Sequence, residues 1–298
     1  MEIVMRQVSG LGNQLFQYAA CLYYAQRYGA SVRMATELPR NAVSHGYSRP
    51  FLLQQFRISV PTRTLTARER LLFSGRPALR PAAALFKHRA HIQIFHEPIT
   101  ERYTFIPDIP LNAEVRTLYL VGYWQAYRVV DCVADQLRQD LRFCNEPRGR
   151  NLELLHQIAG SNNSVSLHVR RGDYTLAAEG NIALPLPYYT RAIEHFQQKL
   201  TNPTFFVFSD DIPYTRQHLP AGIRAVFVDH NDDASSHEDL RLMSACSHHI
   251  IANSSFSWWG AWLNPRPNKT IYAPKYWHLK PESYFPDLLP PNWTLASF

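Results

Sequence analysis

Cysteine is scarce in this sequence: Cys21, Cys132, Cys144 and Cys246 are the four among 298 residues, and none stands in a Cys-x-x-Cys pair. That spacing excludes a zinc knuckle and a disulfide framework and leaves reduced, mostly buried thiols as the expectation. Long hydrophobic runs are missing too. No stretch reaches the roughly 20 apolar residues that span a bilayer, and the chain enters a strand pattern at once through Ile3, Val4 and Val8, with no signal-peptide pattern. A cytoplasmic location is therefore expected, where the Asn-x-Ser/Thr triplets at Asn162, Asn253, Asn268 and Asn292 would not meet the glycosylation machinery. Charged residues are few, at 18%, but the 13% aromatic content excludes a disordered chain. Acid is the scarcer sign. The net charge of +7 points to an anionic partner, and nucleic acid, an anionic membrane surface and a nucleotide-sugar all satisfy it.

Residues 1–8 predict a strand, Ser9-Gly10-Leu11-Gly12-Asn13-Gln14 a glycine turn, and Leu15, Phe16, Tyr18, Ala19, Leu22 and Tyr23 a helix. The third glycine of a dinucleotide-binding fingerprint is absent, so Gly10-x-Gly12 alone is a weak signal. Residues 31–35 can form a second strand. Residues 57–91 turn basic and irregular, with Arg63, Arg68, Arg70, Arg76, Arg80, Lys87 and Arg89 against Glu69. They read first as a solvated face of surface helices and loops, and second as a face that attracts an anionic acceptor or gives peripheral contact with a membrane surface. Residues 117–123 predict a strand ending at Gly122-Tyr123-Trp124-Gln125; Tyr123, Trp124 and Gln125 are candidate acceptor residues, with core packing of the aromatics an equal alternative. Residues 129–140 look helical, and turn formers at 145–150 suggest domains 1–148 and 149–298.

The second half alternates. Strands at 165–169, 205–208, 225–228, 249–252 and 270–273 are separated by helices at 187–200, near Tyr214, at 237–246 and at 257–263. Alternation of this kind implies an α/β fold with a parallel, doubly wound sheet.

Polar motifs follow three of these strands. In open α/β sheets, ligands collect at the carboxyl ends of strands. His168-Val169-Arg170-Arg171-Gly172-Asp173-Tyr174 sets two guanidiniums and a carboxylate at such an end, equipment for a diphosphate, although the run taken alone also reads as a surface turn. The apolar run 205–208 ends in Ser209-Asp210-Asp211. Paired aspartates invite a divalent metal, but Arg170 and Arg171 would repel it and supply similar charge to the same phosphates, so no metal is expected. A capped turn before Pro213 is the alternative for at least one aspartate. Asn253-Ser254-Ser255-Phe256-Ser257 opens a helix, where free backbone donors and serine hydroxyls make an anion site compatible with capping by Asn253 or Ser254. Trp258, Trp259 and Trp262 fall at helical spacing and read as core. Asp239 starts the preceding helix as a cap or dipole partner, or accepts two hydrogens from the N1 and N2 edge of guanine; position alone does not separate these.

Gly10-Leu-Gly-Asn-Gln-Leu-Phe-Gln-Tyr-Ala19, His168-Val-Arg-Arg-Gly-Asp-Tyr174, Phe208-Ser-Asp-Asp211 and Ala252-Asn-Ser-Ser-Phe-Ser-Trp-Trp-Gly-Ala-Trp-Leu263, in this order, closely resemble the α1,2-fucosyltransferase family. The resemblance spans nearly the whole chain and is to a soluble bacterial member. It implies a GT-B fold of two Rossmann-like domains whose parallel sheets face across a cleft. The N-terminal domain would lie on the acceptor side and the C-terminal one would bind GDP-L-fucose, with the last residues free to pack back on the N-terminal domain. It also implies inverting, metal-independent transfer of fucose to the 2-hydroxyl of a galactose-terminated oligosaccharide, with no cofactor beyond the donor. By the same likeness Arg170 and Arg171 bind the diphosphate, and His168 and Asp239 approach guanine. Ser255 and Phe256, in a block with Asn253 and Ser254, hold phosphate, Ser209 and Asp210 join the donor site, and Gly12 and Asn13 approach the sugar. Asp173 is the first candidate base and Glu179 the second, while Asn13 can orient the acceptor but cannot take a proton. A fucosyltransferase of another linkage, a different GDP-sugar as donor, and a basic nucleic-acid-binding protein are the competing functions.

Overall fold

A computed structural model describes residues 1–36, 43–44, 47–48, 50–74, 76–175, 183–278, 282 and 284–297. The chain divides into two units, Met1–Cys144 and Asn145–Phe298.

The first unit is wound from β1 (Glu2–Arg6), whose Ile3, Val4 and Met5 are fully buried, through α1 (Leu11–Tyr28) to β2 (Ser31–Thr36). A short hairpin of β3 (Val43–Ser44) and β4 (Tyr47–Ser48) precedes β5 (Thr62–Thr64), α2 (Ala67–Leu72), α3 (Arg80–Arg89), β6 (Ile92–His96) and β7 (Thr117–Val121). Among the described residues these strands form a five-stranded sheet in the order β5-β2-β1-β7-β6, with every pairing parallel. The helix expected at 129–140 is two helices, α4 (Tyr127–Cys132) and α5 (Ala134–Asp140), because Val133 leaves helical geometry at φ −123°. The basic segment does carry α2 and α3 on the surface, but its one carboxylate does not join that face. Glu69 is buried and pairs with Arg33 of β2, and it also closes a capping box with Thr66.

The second unit alternates α6 (Arg150–Ala159), β8 (Ser164–Val169), α7 (Leu186–Lys199), β9 (Thr204–Ser209), α8 (Ile212–His218) and β10 (Arg224–Val228). It continues through α9 (Ser236–Ala245), β11 (His248–Ile250), α10 (Ser255–Leu263), β12 (Ile271–Pro274) and β13 (Thr294–Ala296). Its sheet has the order β10-β9-β8-β11-β12-β13, all parallel. Central β8 is buried along its whole length, as a strand covered on both faces must be. Val165, Leu167 and Val169 pack with Phe205, Val207 and α7 on one face, while Phe206 and Phe208 pack with α6 and α9 on the other.

The closing residues extend this second sheet, with Thr294–Ala296 beside Tyr272–Pro274. One sequence expectation, of mostly buried thiols, is corrected. The thiols divide evenly: Cys21 and Cys246 are buried, Cys132 and Cys144 are exposed.

Candidate functional site

Numbered within the second unit, the strand order is 3-2-1-4-5-6, the order of a dinucleotide-binding sheet. The winding reverses between β8 and β11, so the two chains leaving these strands diverge and open a crevice at their carboxyl ends. β8 delivers His168, Arg170 and Arg171 to that edge, and β11 delivers Asn253, Ser254, Ser255 and Phe256. The two motifs are stitched together. Tyr174 donates its hydroxyl hydrogen to the Asn253 carbonyl at 3.1 Å, and the His168 and Phe256 rings lie 5.8 Å apart.

Neighbouring β9 brings the aspartates alongside. Arg170 Nη1 lies 2.8 Å from Asp210 Oδ2, and the other oxygen of Asp210 accepts the Arg171 backbone N–H at 2.8 Å. Arg171 Nε pairs with Asp211 at 3.1 Å, and its guanidinium carbon sits 3.2 Å from the centre of the Tyr214 ring. Asp211 also caps α8 by accepting the Tyr214 N–H, as the capped-turn alternative requires. Ser209 Oγ accepts from the Asp211 N–H and bonds the Thr215 hydroxyl, so it builds the same turn. Each arginine is therefore preorganised by an aspartate from the next strand.

Burial and the Arg170 charge push His168 down to about 3, which leaves it a neutral imidazole, and its buried Nδ1 has no hydrogen-bond partner among the described residues. Asp239 is pushed up to about 7 by burial. Its Oδ1 accepts from Asn231 Nδ2 at 2.6 Å, and Asn231 is held in turn by Asn151, which also meets His230 Nε2. Asn151 at the start of α6 and His230 and Asn231 after β10 carried no sequence signal, because polar residues are ordinary at helix starts and in turns.

The serine segment starts its helix earlier than expected, at Ser255 instead of Ser257. Ser254 is the N-cap and accepts the Phe256 N–H at 3.3 Å, while Ser257 Oγ accepts from the Ala252 N–H. Trp258, Trp259 and Trp262 are buried, and Gly260 lies against Met243 of α9 with no room for a Cβ, which would come within 2.9 Å of the Met243 Cβ. Asp173 lies in the 3-10 turn Gly172–Thr175, where only its backbone is described, and Glu179 lies outside the described residues.

Gly12 and Asn13 belong to the first unit, in whose sheet β7 is the neighbour of β1 on the side away from β2. Gly12 is buried within α1. Asn13 Nδ2 donates to Ser9 Oγ at 2.9 Å, and Asn13 Oδ1 accepts from Gln125 Nε2, so the glycine turn after β1 meets the turn after β7. Trp124 is buried, as core packing predicted, whereas Tyr123 is partly exposed beneath the Arg102 guanidinium. Among the described residues no helix is long and apolar enough to cross a membrane.

Comparison with known proteins agrees with this arrangement. The family model described as glycosyl transferase family 11 matches residues 2–294. The O-antigen biosynthesis glycosyltransferase WbnK of Escherichia coli is 30% identical over 286 residues, covering 90% of this chain and 92% of that protein. An alpha-1,2-colitosyltransferase of Escherichia coli is 29% identical over 310 residues, covering 98% of this chain and 97% of that one. The crystal structure of fucosyltransferase NodZ from Bradyrhizobium superposes with a TM-score of 0.54 at 18% identity, over 87% of this chain and 92% of that chain, and shares its GT-B fold. A glycosyltransferase with two parallel sheets and strand-end arginines, this chain belongs to glycosyl transferase family 11, the α1,2-fucosyltransferase family its motifs resemble.

Proposed function

We propose that the chain transfers L-fucose from GDP-β-L-fucose to the 2-hydroxyl of a galactose in a β-galactoside glycan, with inversion and without a metal ion. The observation that carries this reading is the pairing of Arg170 and Arg171 with Asp210 and Asp211 at the reversal point of the second sheet, beside the N-terminus of α10. The galactose oxygen bonds to the fucose anomeric carbon from the face opposite GDP. The bond from that carbon to the β-phosphate oxygen breaks, and its electron pair leaves with GDP. Negative charge grows on the β-phosphate, so a guanidinium already fixed by Asp210 stabilises the transition state more than the ground state.

Arg170 is assigned the β-phosphate and Arg171 a supporting share, since Arg171 is also packed on Tyr214. The N–H groups opening α10, with Ser255 and Phe256, complete the phosphate cradle. Neutral His168 and the carboxylate of Asp239 are assigned to guanine, the latter accepting from N1 and N2. The hydroxyl proton passes to Asp173 as the first candidate base and to Glu179 as the second, and Asn13 orients the acceptor. Because Asp210 and Asp211 are already engaged by guanidiniums, they make poor metal ligands.

A GDP-colitose donor is the second reading, favoured by the relative named a colitosyltransferase. Competition among GDP-fucose, GDP-colitose, GDP-mannose and UDP-galactose, followed by NMR of the product linkage on a glycan array hit, decides it. GDP-fucose is expected to win and to give an α-linked fucose at O2 of galactose. Preference for a UDP-sugar would overturn the proposal.

A further inference from the structure

The turn after β7 is held by a carboxylate that the reaction just described does not use. Glu97 directly follows β6 and continues its ladder, with its N–H on the Val121 carbonyl at 2.8 Å. Its side chain then reaches under the turn. Oε2 accepts the Tyr123 N–H at 2.7 Å, and Oε1 accepts the Trp124 N–H at 3.0 Å. The fit admits no side chain at Gly122, where a Cβ would stand 2.4 Å from the Glu97 Cβ and 2.7 Å from Oε2. From the other side, Gln17 of α1 donates its amide to the Gly122 carbonyl at 2.8 Å. Trp124 is forced into the left-handed region at φ 59°, a conformation that a bulky residue adopts only where its surroundings impose it.

The next residue is Gln125, whose side-chain amide reaches Asn13. An acid that holds two successive backbone N–H groups and ends in a strained residue is a clamp, and here the clamp sets the position of Gln125 against the glycine turn. We propose that Glu97 is a positioning residue for the acceptor subsite, holding Gly122–Gln125 so that the partly exposed Tyr123 ring and, fixed by the buried Gln125, the Asn13 amide present one aromatic ring and one amide to a neutral pyranose. That combination is the ordinary chemistry of sugar recognition: a ring face for the apolar C–H face of the sugar, and a two-way hydrogen-bonding group for its hydroxyls. The proposal rests on the transferase reading above.

The test is steady-state kinetics on Glu97→Gln and Gly122→Ala, with GDP affinity measured in parallel by calorimetry. Glu97→Gln places an N–H against one of the two N–H donors, and Gly122→Ala forces the turn and the Glu97 side chain apart. Both are expected to raise the acceptor KM or lower kcat by about tenfold or more, because small misplacements of positioning groups are costly, while GDP affinity stays within about twofold of wild type. A double variant no worse than the poorer single one is expected, since both act on one turn. Unchanged acceptor kinetics in either folded variant overturns the proposal, and so does an equal loss of GDP affinity, which would mark a general structural role. If Glu97→Gln does not fold, Gly122→Ala alone decides by the same criteria. Failure of the transferase reading looks different: wild-type protein would then transfer no sugar from any GDP donor.

Discussion

Arg170 and Asp210 form a 2.8 Å ion pair, with side chains 18% and 19% exposed, that joins the ends of adjacent parallel strands β8 and β9. The aspartate is fixed on its other oxygen by the Arg171 N–H, so the arginine needs little reorganisation when charge develops beside it.

Replacing Arg170 by Ala is therefore expected to lower kcat by about 10²–10³-fold, the usual cost of deleting one fixed donor to a developing anion. Arg170→Lys should recover only part of this, because a lysine cannot bridge a carboxylate and a phosphate with a planar fork. Arg171→Ala should cost less. Single-turnover rates at saturating donor check the order, and near-normal activity of the Arg170→Ala protein would remove this residue from the mechanism.

Asp239 supplies a pH-dependent prediction. It holds its proton up to about pH 7 in the free protein, and only the ionised form accepts both guanine hydrogens. GDP affinity should therefore weaken by about tenfold per pH unit below that value and level off above it. Asp239→Asn should flatten this profile and lower affinity at pH 8 by about 1–3 kcal/mol. Calorimetric titration from pH 5.5 to 8.5 reads both effects.

The same residue changes stability with the opposite trend. Burial raises its folded pKa above that of the unfolded chain, so between the two values the folded state binds more protons and stability falls as pH rises toward about 7. Asp239→Asn should lose this contribution to the slope. Thermal unfolding of both proteins at pH 4.5 and pH 8 should show the variant gaining on wild type at the higher pH; an equal difference at both would contradict the buried-carboxylate account.

Chelation tests the charge assignment. With two guanidiniums facing the phosphates, saturating EDTA should leave kcat unchanged, and added Mg²⁺ should not raise it. A loss restored by Mg²⁺ would return Asp210 and Asp211 to a metal-binding role.

Gly260→Ala should destabilise the second unit by about 1–3 kcal/mol through overpacking against Met243. Because Gly260 lies on the helix that Ser254 caps, GDP affinity should fall with it. Unfolding temperature and GDP titration on one preparation check the pair of effects.

The strand-end cluster of the second unit was largely legible in the chain. The alternation of Val165, Leu167 and Val169 before Arg170-Arg171, and the apolar runs before Ser209-Asp210-Asp211 and Asn253-Ser254-Ser255, read as strands that deliver polar groups to one sheet edge. The short strands β5, β6 and β13 leave no clear sequence signal, since Thr62–Thr64 is exposed throughout and the other two lack a clean period of two. Glu97 is silent in the sequence for another reason. A lone acid after a strand has no local pattern, and its meaning depends on Tyr123 and Trp124, which lie 26 and 27 positions away.

Local chemistry by itself determined the alternation of strands and helices, the serine cap that opens α10, and the presence of paired cations at a strand end, because each depends on neighbours along the chain. Only the tertiary structure decided which strands are adjacent. The order β10-β9-β8-β11-β12-β13 set Asp210 against Arg170 and the reversal point between the His168 and Asn253 motifs, and the first sheet set Gln125 against Asn13. Parallel pairing needs a crossover for every neighbour, so adjacency is a property of how whole layers pack, and no short stretch of sequence contains it.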